Sequence, residues 1–404
     1  MSAAGDAPGY RIIGSGPVAL SCGLWMVRAG IAASRIALHR PAPASPRDPA
    51  LPADPAAAAR RLIALSEGSR QLLSRVMPMP VGGVIERIDV HQEGTGGRTR
   101  IEARDFGLDA LGTVIAWDSL VRSLSVAASA HRFATGSGGA ESPFAALGVT
   151  IHAEGMPRPD HAAEGHLSVR HFDQHALLTE VISDAPPTTA FECFGSHGPL
   201  ALLPSRDDRS TGPGRALAGP ARHAVVWCDT PAATAGRAAL SPEALSAAIG
   251  AAFARIAGRG GALRSTAAPL RFTVCAPVTT SPLTRITRRR TAVGREVWIG
   301  NASQALHPVA GQGLNLGLRD AFELATLLAD QGRRDPGDDP AATLRRFAAQ
   351  RRRDRNVTTG VTDLLARAFT WPLARPLQSL LLTALDLSPA LRRPLADSLL
   401  FGQR

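Results

Sequence analysis

The sequence contains no lysine, so all 45 residues counted as Lys or Arg are arginine. This absence excludes two kinds of site, the phosphate-binding lysine of a Walker-type loop and a lysine that forms a Schiff base with a carbonyl substrate. The chain is also rich in Ala, Gly and Pro, which indicates a GC-rich coding bias. The formal net charge of +11 therefore carries little functional information.

Cysteine, tyrosine and long apolar runs are scarce as well. Tyr10 is the single tyrosine and precedes the first predicted strand, too far from a substrate to act on it. No run of about 18 apolar residues is present to span a bilayer, and no signal peptide is recognisable, so the cytoplasm is the expected compartment. The cysteines lack the close pairing of a zinc site or a redox dithiol, and core positions are predicted for all four: Cys22, Cys193, Cys228 and Cys275.

At 404 residues the chain exceeds the usual size of one domain, which predicts two or three packed units.

The first segment with clear strand and helix patterns has the order expected of a dinucleotide-binding unit. The stretch "YRIIGSGPVALSCGLWMVRAGI" has the order strand, glycine turn, helix, and "SRIALHR" follows as a second strand, which is the opening of such a fold. Gly14 allows the tight turn, Gly16 lets the backbone approach a diphosphate, and Ala19 takes the third small position.

The end of the second strand departs from this pattern. An acidic residue is expected there to bind a ribose hydroxyl, and His39-Arg40 stands in its place. Arg40 has two interpretations, a contact with a phosphorylated ribose and a side chain that faces solvent.

A second glycine turn lies in "IGNASQALHPVAGQGLNLGLRDAFELATLLAD", which begins at Ile299. Gly311, Gly313 and Gly317 flank Asn315 at the start of a predicted amphipathic helix. Glycines there leave room for the backbone N–H groups of the helix N-terminus to approach an anionic ligand. The alternative is a glycine-rich helix start that serves packing alone.

Local patterns predict the elements between these two turns. The stretch "RRLIALSEGSRQLL" has helical periodicity, and "WDSLVRSLSVAASA" is a second predicted helix. The runs "HLSVRHF", "TTAFECFG", "PLALLPS" and "HAVVWCD" predict an antiparallel sheet. A helix is predicted for "SPEALSAAIGAAFARIA", and "RRDPGDDP" breaks the chain before a last, largely helical segment.

The run G-N-A-S-Q-A-L-H-P-V-A-G-Q-G-L-N-L-G-L-R-D, from Gly300 to Asp320, closely resembles the second FAD motif of the aromatic-hydroxylase flavoprotein superfamily. Most of that superfamily has Asp and His where this chain has Asn301 and Gln304, and the variant resembles the UbiH/UbiF/VisC type of ubiquinone-biosynthesis hydroxylase. The stretches "RLIALSEGSRQLL", "AFECFGSHGPLALLP", "VVWC" and "QRRRDRNVTTGVTDLL" resemble the same family in the same order. The resemblance therefore covers most of the chain.

The resemblance implies an α/β fold with three parts. An FAD-binding, Rossmann-like domain of the para-hydroxybenzoate-hydroxylase type accompanies an antiparallel-sheet substrate domain and a C-terminal helical segment. The predicted boundaries are 1–165 and 286–335 for the two parts of the FAD-binding domain, 166–285 for the substrate domain and 336–404 for the helical segment.

The resemblance also assigns site residues. His307 is the candidate catalytic residue, as a proton donor or acceptor beside the flavin, and a structural role is the alternative. No metal site is expected. The expected cofactor-binding residues come from the two glycine turns and from an arginine near the flavin: Gly14, Gly16, Ala19, Arg61, Gly300, Asn301, Pro308, Gly311, Gln312, Gly313 and Asn315.

The implied activity is hydroxylation of a polyprenylated phenol on the way to ubiquinone, with FAD, dioxygen and NADPH or NADH, through a flavin C4a-hydroperoxide. The base for the phenol would be His197, His307 or water. One alternative is a related flavin hydroxylase of another aromatic compound. The other is a degenerate, non-catalytic member of a quinone-biosynthesis assembly, because Ser137-Gly138 stands at the family's Asp-Gly positions without the Asp, and the segment before it is short.

The C-terminal segment has two charged features. From Val361 onward, leucine-rich helical faces alternate with arginines, which fits peripheral contact with the inner membrane, contact with a partner subunit, or packing on the protein's own core. No nucleic-acid partner is expected, because no aromatic residues accompany a nearby arginine cluster. A solvated helix face is predicted for that cluster: Arg345, Arg346, Arg351, Arg352, Arg353 and Arg355.

Overall fold

The structure is a computed structural model that describes residues 9–40, 60–94, 97–134, 148–157, 166–196, 198–206, 220–257, 270–305, 311–334, 339–368 and 375–401. Up to residue 152 its elements are β1 (Tyr10–Ile13), α1 (Pro17–Arg28), β2 (Ile36–His39), β3 (Leu62–Ser66), α2 (Glu67–Ser74), β4 (Gly83–Ile85), β5 (Arg87–Gln92), β6 (Arg98–Glu102), β7 (Gly112–Ala116), α3 (Trp117–Ser129) and β8 (Val149–His152). Next come β9 (Leu167–Ser183), β10 (Thr189–Phe194), β11 (Pro199–Ser205), β12 (Ala221–Asp229), α4 (Pro231–Ala238), α5 (Pro242–Ala257), β13 (Phe272–Val274), β14 (Thr279–Arg288), β15 (Ala292–Val293), β16 (Glu296–Trp298) and β17 (Gln304–Ala305). The last four are α6 (Gln312–Arg334), α7 (Pro340–Ala368), α8 (Arg375–Leu387) and α9 (Pro389–Phe401).

A five-stranded sheet carries the first glycine turn. Its order is β15-β16-β8-β1-β2, and the pairs β16-β8, β8-β1 and β1-β2 are parallel, which confirms the predicted β-α-β start. Ile12, Ile151 and Val297 are fully buried on one face of this sheet, in the same core as side chains of α1 and α6. Trp25 of α1 meets Phe322 of α6 edge to face, with ring centroids 5.6 Å apart. Two helices from opposite ends of the sequence are therefore packed side by side.

A nine-stranded sheet forms the second layer. Eight of its strands follow the order β17-β14-β9-β12-β11-β10-β5-β6, and β13 pairs with β9. All its pairs are antiparallel except β10-β5, so the strands predicted in β9 to β12 are confirmed. The predicted helix is confirmed as α5, and it covers one face, where Phe191 meets Phe253. The sheet also includes β5 and β6, which lie within the predicted first part of the FAD-binding domain, residues 1–165. No local pattern predicts this pairing.

A third sheet, β3-β7-β4, corrects one prediction. The stretch "RRLIALSEGSRQLL" has helical periodicity, yet Leu62–Ser66 is a strand and only Glu67–Ser74 is a helix. A short apolar run fits either element, and pairing with β7 decides for the strand. The Ser66 hydroxyl then caps α2 by accepting from the Ser69 N–H.

The arginine cluster of α7 is not a uniformly solvated face, which corrects a second prediction. Arg345, Arg346 and Arg352 are exposed, but Arg351 and Arg355 are buried against α6. The charges of Arg351 are matched there by carboxylates of both helices. The buried charge of Arg351 needs such partners, and the two on α6 lie about 30 residues away, where the local sequence does not show them.

The C-terminal helix α8 lies on β6. Its Asp386 carboxylate accepts the Arg100 backbone N–H at 3.1 Å, and Leu382 is buried. Leu380, Leu381 and Leu387 point to solvent, with 70%, 54% and 78% of their surfaces exposed. Within the described ranges no helix has the length and apolar character that a membrane crossing requires. The cysteine prediction is confirmed for the three buried positions Cys22, Cys193 and Cys228, whereas Cys275 is half-buried.

Candidate cofactor site

The first glycine turn contains two glycines with different roles. Gly14 has φ +143°, and a Cβ atom there would lie 2.4 Å from the carbonyl oxygen of Ala153, so no other residue fits. Gly16 is the N-cap of α1, and a Cβ atom there would meet no atom within 4 Å. Ala19 is fully buried beside Gly14. One glycine is therefore required by packing, and the other leaves space before the helix N-terminus.

The second motif meets the first at Val18. Gly300 has φ +57°, and its Cβ position lies 3.2 Å from the Val18 methyl groups. The Cβ position of Gly317 lies 3.0 Å from the Val18 side chain and 3.0 Å from Gly300 Cα. The two glycine motifs, nearly 300 residues apart in sequence, are thus brought together by the close crossing of α1 and α6.

The N-terminus of α6 has open space beside Gly313 and is packed against β3 at Gly311. Gly311 has φ +59°, and its Cβ position lies 3.4 Å from the Ala64 methyl group. The Cβ position of Gly313 has no neighbour closer than Asn301 Oδ1, at 4.0 Å. Gln312 Oε1 is buried and has no hydrogen-bond partner among the residues that the structure describes. A buried oxygen without a donor, beside open space at a helix N-terminus, is a feature expected of a ligand site.

Asn315 fixes this turn to the neighbouring strand. Its Oδ1 accepts the Ser66 N–H at 2.9 Å, and its Nδ2 donates to the carbonyl oxygens of Ala64 and Gly311, both at 3.1 Å. Both amide hydrogens are therefore used within the protein. The side chain positions the turn, and its expected contact with the cofactor stays a prediction.

The other predicted residues contact a different element or lie outside the described residues. The Arg61 guanidinium lies over the Trp117 ring at 4.0 Å, and the Arg61 carbonyl accepts the Trp117 N–H at 2.8 Å. His307 and Pro308, like His197, lie outside the described residues. Their predicted roles therefore stay predictions.

A cavity of about 250 Å³ opens at the N-terminus of α1. Arg40 reaches it from the end of β2, where an acidic residue was expected, and no carboxylate is among the described residues that line it. The lining consists of the glycine turn and side chains of α1, β2 and α3: Gly14, Ser15, Leu20, Leu38, Arg40, Val121 and Ser125.

The sheet order shows an acidic residue that the sequence analysis missed. β8 lies between β1 and β16, and the Ala153 N–H after it donates to the Ile13 carbonyl at 2.8 Å. The next residues are Glu154 and Gly155, and Gly155 has φ +101°. An acid-glycine pair therefore follows the strand that touches the Gly14 turn. Ser137-Gly138, the pair expected in this role, lies outside the described residues, so the predicted loss of the carboxylate stays a prediction.

A buried network of ion pairs between α6 and α7 stabilises the Gly300 turn of the second motif. The Gly300 N–H donates to Asp320 Oδ2 at 3.2 Å, and Asp320 Oδ1 accepts from Arg351 Nε at 2.7 Å. Arg351 also contacts Glu323 Oε1 at 3.0 Å and Asp354 Oδ2 at 2.7 Å. Burial disfavours the Arg351 charge, but these carboxylates outweigh burial and raise its pKa. The guanidinium is thus permanently charged and fixes Asp320, which orients the Gly300 turn.

Comparison with known proteins agrees with this site. Residues 263–353 match the family model described as FAD binding domain. The chain is 30% identical over 187 residues to the ubiquinone hydroxylase UbiL of Rhodospirillum rubrum, covering 46% of this chain and 37% of that protein. It is 26% identical over 223 residues to the 3-demethoxyubiquinol 3-hydroxylase of Escherichia coli K12, covering 54% and 49%. The matched segments thus span less than half the length of these curated relatives.

Solved structures extend the likeness to the whole chain. The p-nitrophenol 4-monooxygenase PnpA of Pseudomonas putida DLL-E4 superposes with a TM-score of 0.62 at 14% identity, covering 98% of both chains. HpxO of Klebsiella pneumoniae, solved with FAD and uric acid, superposes with a TM-score of 0.63 at 18% identity, covering 97% of both. At these identities the likeness establishes the fold.

The residues present fit FAD. Open space at Gly16 and Gly313 lets two helix N-termini approach an anionic group, and the unpartnered Gln312 Oε1 suits a ring or ribityl donor. The cavity beside Gly14 adds room at the first turn. Residues 263–353 therefore match the FAD binding domain, and the chain has the para-hydroxybenzoate-hydroxylase-like fold.

Proposed function

We propose that the protein is an FAD-dependent monooxygenase that hydroxylates a polyprenylated phenol in ubiquinone biosynthesis, with NADPH or NADH as the reductant. The observation that carries the proposal is the meeting of the two glycine motifs at Val18, with open space before both helix N-termini. Two relatives named as hydroxylases of ubiquinone compounds support this substrate class. A related hydroxylase of another aromatic compound is the alternative.

Each part of the site has a task in this proposal. The N-terminus of α1 binds the diphosphate of FAD, because Gly16 leaves its N–H groups accessible. The N-terminus of α6, with Gly313, Gln312 and Asn301, holds the flavin end and stabilises negative charge on it. FAD, when bound, supplies the transfer of electrons from the nicotinamide and the activation of dioxygen. His307, in the segment before α6, is the proposed proton donor or acceptor beside the flavin.

The exposed leucines of α8 support a peripheral contact. Leu380, Leu381 and Leu387 offer apolar surface on a helix that is fixed to β6 by its other side. A polyprenylated substrate resides in a membrane, so a hydroxylase needs either a membrane surface or a partner that delivers it. We propose that this face of α8 meets the inner membrane or a member of a ubiquinone-biosynthesis complex.

The absorption spectrum of the purified protein is the first test. Oxidised flavin near one per chain, followed by NADPH oxidation that depends on a prenylated phenol and yields a product heavier by one oxygen atom, is the expected result. A folded protein that stays colourless after incubation with FAD would contradict the proposal. A non-catalytic role in a quinone-biosynthesis assembly would then replace it.

A further inference from the structure

Glu192 occupies an unusual place in the large sheet. It lies on β10, an interior strand, opposite Ala201 of β11 and Val90 of β5. Its chain neighbours Phe191 and Cys193 belong to the core beneath α5. Because side chains alternate along a strand, Glu192 points to the opposite face of the sheet, away from that core.

That face is apolar around the carboxyl group. Ala190 and Phe194 flank Glu192 on its own strand, and Ala201 and Val226 follow it across the sheet. In the part of the chain that the structure describes, Glu192 makes no hydrogen bond or ion pair. Burial alone raises its pKa to about 7, although part of the side chain remains accessible. A partly accessible carboxyl group that has no partner among the described residues is available to a bound ligand.

The same face leads to the candidate cofactor turn. Ala190, two residues before Glu192 and on the same face, is buried in one cluster with Val114 of β7 and with Leu111, which precedes β7. Ala64 of β3 packs against that cluster. The Ala64 methyl group lies 3.4 Å from the Cβ position of Gly311, at the start of α6. The small sheet therefore connects the strand segment of Glu192 to the proposed flavin end.

We infer that Glu192 is the general base that accepts the phenolic proton of the substrate, an inference that rests on the proposed function. The phenol O–H bond breaks, the proton passes to a Glu192 carboxylate oxygen, and the electron pair stays on the phenol oxygen. The resulting phenolate has the electron-rich ring that accepts an oxygen atom. The neutral carboxyl group then releases its proton to water. A base whose pKa lies near the working pH is well suited to this task.

The surrounding titratable groups do not replace it. On the face of Glu192, the Glu180 carboxylate accepts from the Ser205 hydroxyl at 3.0 Å, and the Cys228 thiol has its pKa raised to about 12, by burial first and by Glu192 second. On the α5 face, burial and Glu192 also raise the pKa of Cys193. The strands β3, β4, β7 and β11 carry no ionisable side chain, and the remaining titratable neighbours on β5 and β12 are Arg87, Asp89, His91, Arg222, His223 and Asp229.

The test compares Glu192→Gln, which keeps the shape, with Glu192→Asp, which keeps the acid. In flavin-loaded protein we expect the Gln variant to retain bound flavin and its reduction by NADPH within about twofold. Hydroxylation should fall by about 100-fold or more, and its dependence on a group titrating near pH 7 should disappear. The Asp variant should restore part of both. Glu180→Gln is the matched control, because that buried carboxylate already has a partner, and its pH profile should follow that of the wild type.

A binding measurement tests the inference without turnover. At about pH 8 the Gln variant should bind a prenylated phenol about tenfold more weakly than the wild type, because a hydrogen bond to a charged group is lost. Affinity for the methyl ether of the same compound, which has no proton to donate, should not change. Wild-type hydroxylation and wild-type discrimination between phenol and ether in Glu192→Gln would overturn the inference. A wild type that binds the phenol in this manner but takes up no flavin would contradict the proposed function alone.

Discussion

Arg351 and Glu192 are both ionisable groups inside the protein, and their surroundings are opposite. Arg351 contacts three carboxylates within 3.0 Å, from α6 and from its own helix. Glu192 faces apolar side chains and has no partner among the described residues. The comparison teaches how to separate structural from functional polar groups. A buried charge whose partners all belong to the chain maintains the fold, whereas one that lacks a partner is available to a molecule from outside.

Removing the fully partnered group should have the largest effect. Arg351→Met leaves Asp320 and Asp354 buried without their cation, so the free energy of unfolding should fall by about 3–5 kcal/mol. Urea denaturation measures this change. Arg352→Met, one residue away on the exposed side of α7, is the control and should change stability by less than about 0.5 kcal/mol. Equal losses in the two variants would remove the distinction drawn for Arg351.

We expect the raised pKa of Glu192 to make the free energy of unfolding depend on pH. Its pKa rises from 4.5 to about 7 on folding, so the folded protein holds this proton more tightly than the unfolded chain. The stabilisation is fully present below about pH 4.5 and is lost as the pH rises to about 7. Between about pH 4 and pH 8 the stability of the wild type relative to Glu192→Gln should therefore fall by about 3 kcal/mol. Chemical denaturation at a series of pH values tests this, and a constant difference between the two proteins would contradict it.

The same comparison can be made with two glycines of one turn. Gly14→Ala places a methyl group against the Ala153 carbonyl at a positive φ and should cost about 1–3 kcal/mol of stability. Gly16→Ala adds its methyl group in open space at an ordinary φ and should leave stability within about 1 kcal/mol. Fluorescence titration with FAD should show weaker binding to the Gly16 variant. Unchanged FAD affinity in that variant would argue against a diphosphate at α1.

The smallest effect on stability is expected at α8. Replacing Leu380, Leu381 and Leu387 together by Gln should change the free energy of unfolding by less than about 0.5 kcal/mol per site, because these side chains are exposed. Co-sedimentation with anionic vesicles should weaken. Val126→Gln, at an exposed position of α3, is the control and should bind vesicles as the wild type does. Vesicle binding unaffected by the triple change would exclude this face from membrane contact.

Much of the fold follows from local sequence, because its first unit and its later strands have clear periodicity and turn residues. The strand Leu62–Ser66 was mistaken for helix, since four apolar residues in a row satisfy either element. The pairing of β10 with β5 joins segments about 100 residues apart, and nothing near either strand specifies that partner. Tertiary pairing decided both cases.

The site residues were predictable where they form a continuous sequence motif. They were less predictable where pairing of distant strands brings them together. The turns at Gly14 and Gly311 were found from glycine spacing and Gly300 from the resemblance, and the structure brings Gly300 and Gly317 against Val18 of the first motif. Glu154 was missed because only the sheet order shows which strand lies beside β1. Glu192 had one sequence signal, a single acidic residue inside the apolar strand "TAFECF", but its neighbours across the sheet were needed to interpret it.

The bond from Arg351 to Asp320 has a consequence for how this protein can be divided. The predicted boundary near residue 335 separates α7 from the second FAD motif in sequence, yet the Gly300 turn depends on an arginine beyond that boundary. A shortened gene that ends between α6 and α7 would leave Asp320 buried without its counter-ion. For expression and for domain exchange, the shortest segment that preserves the second motif therefore extends through Asp354.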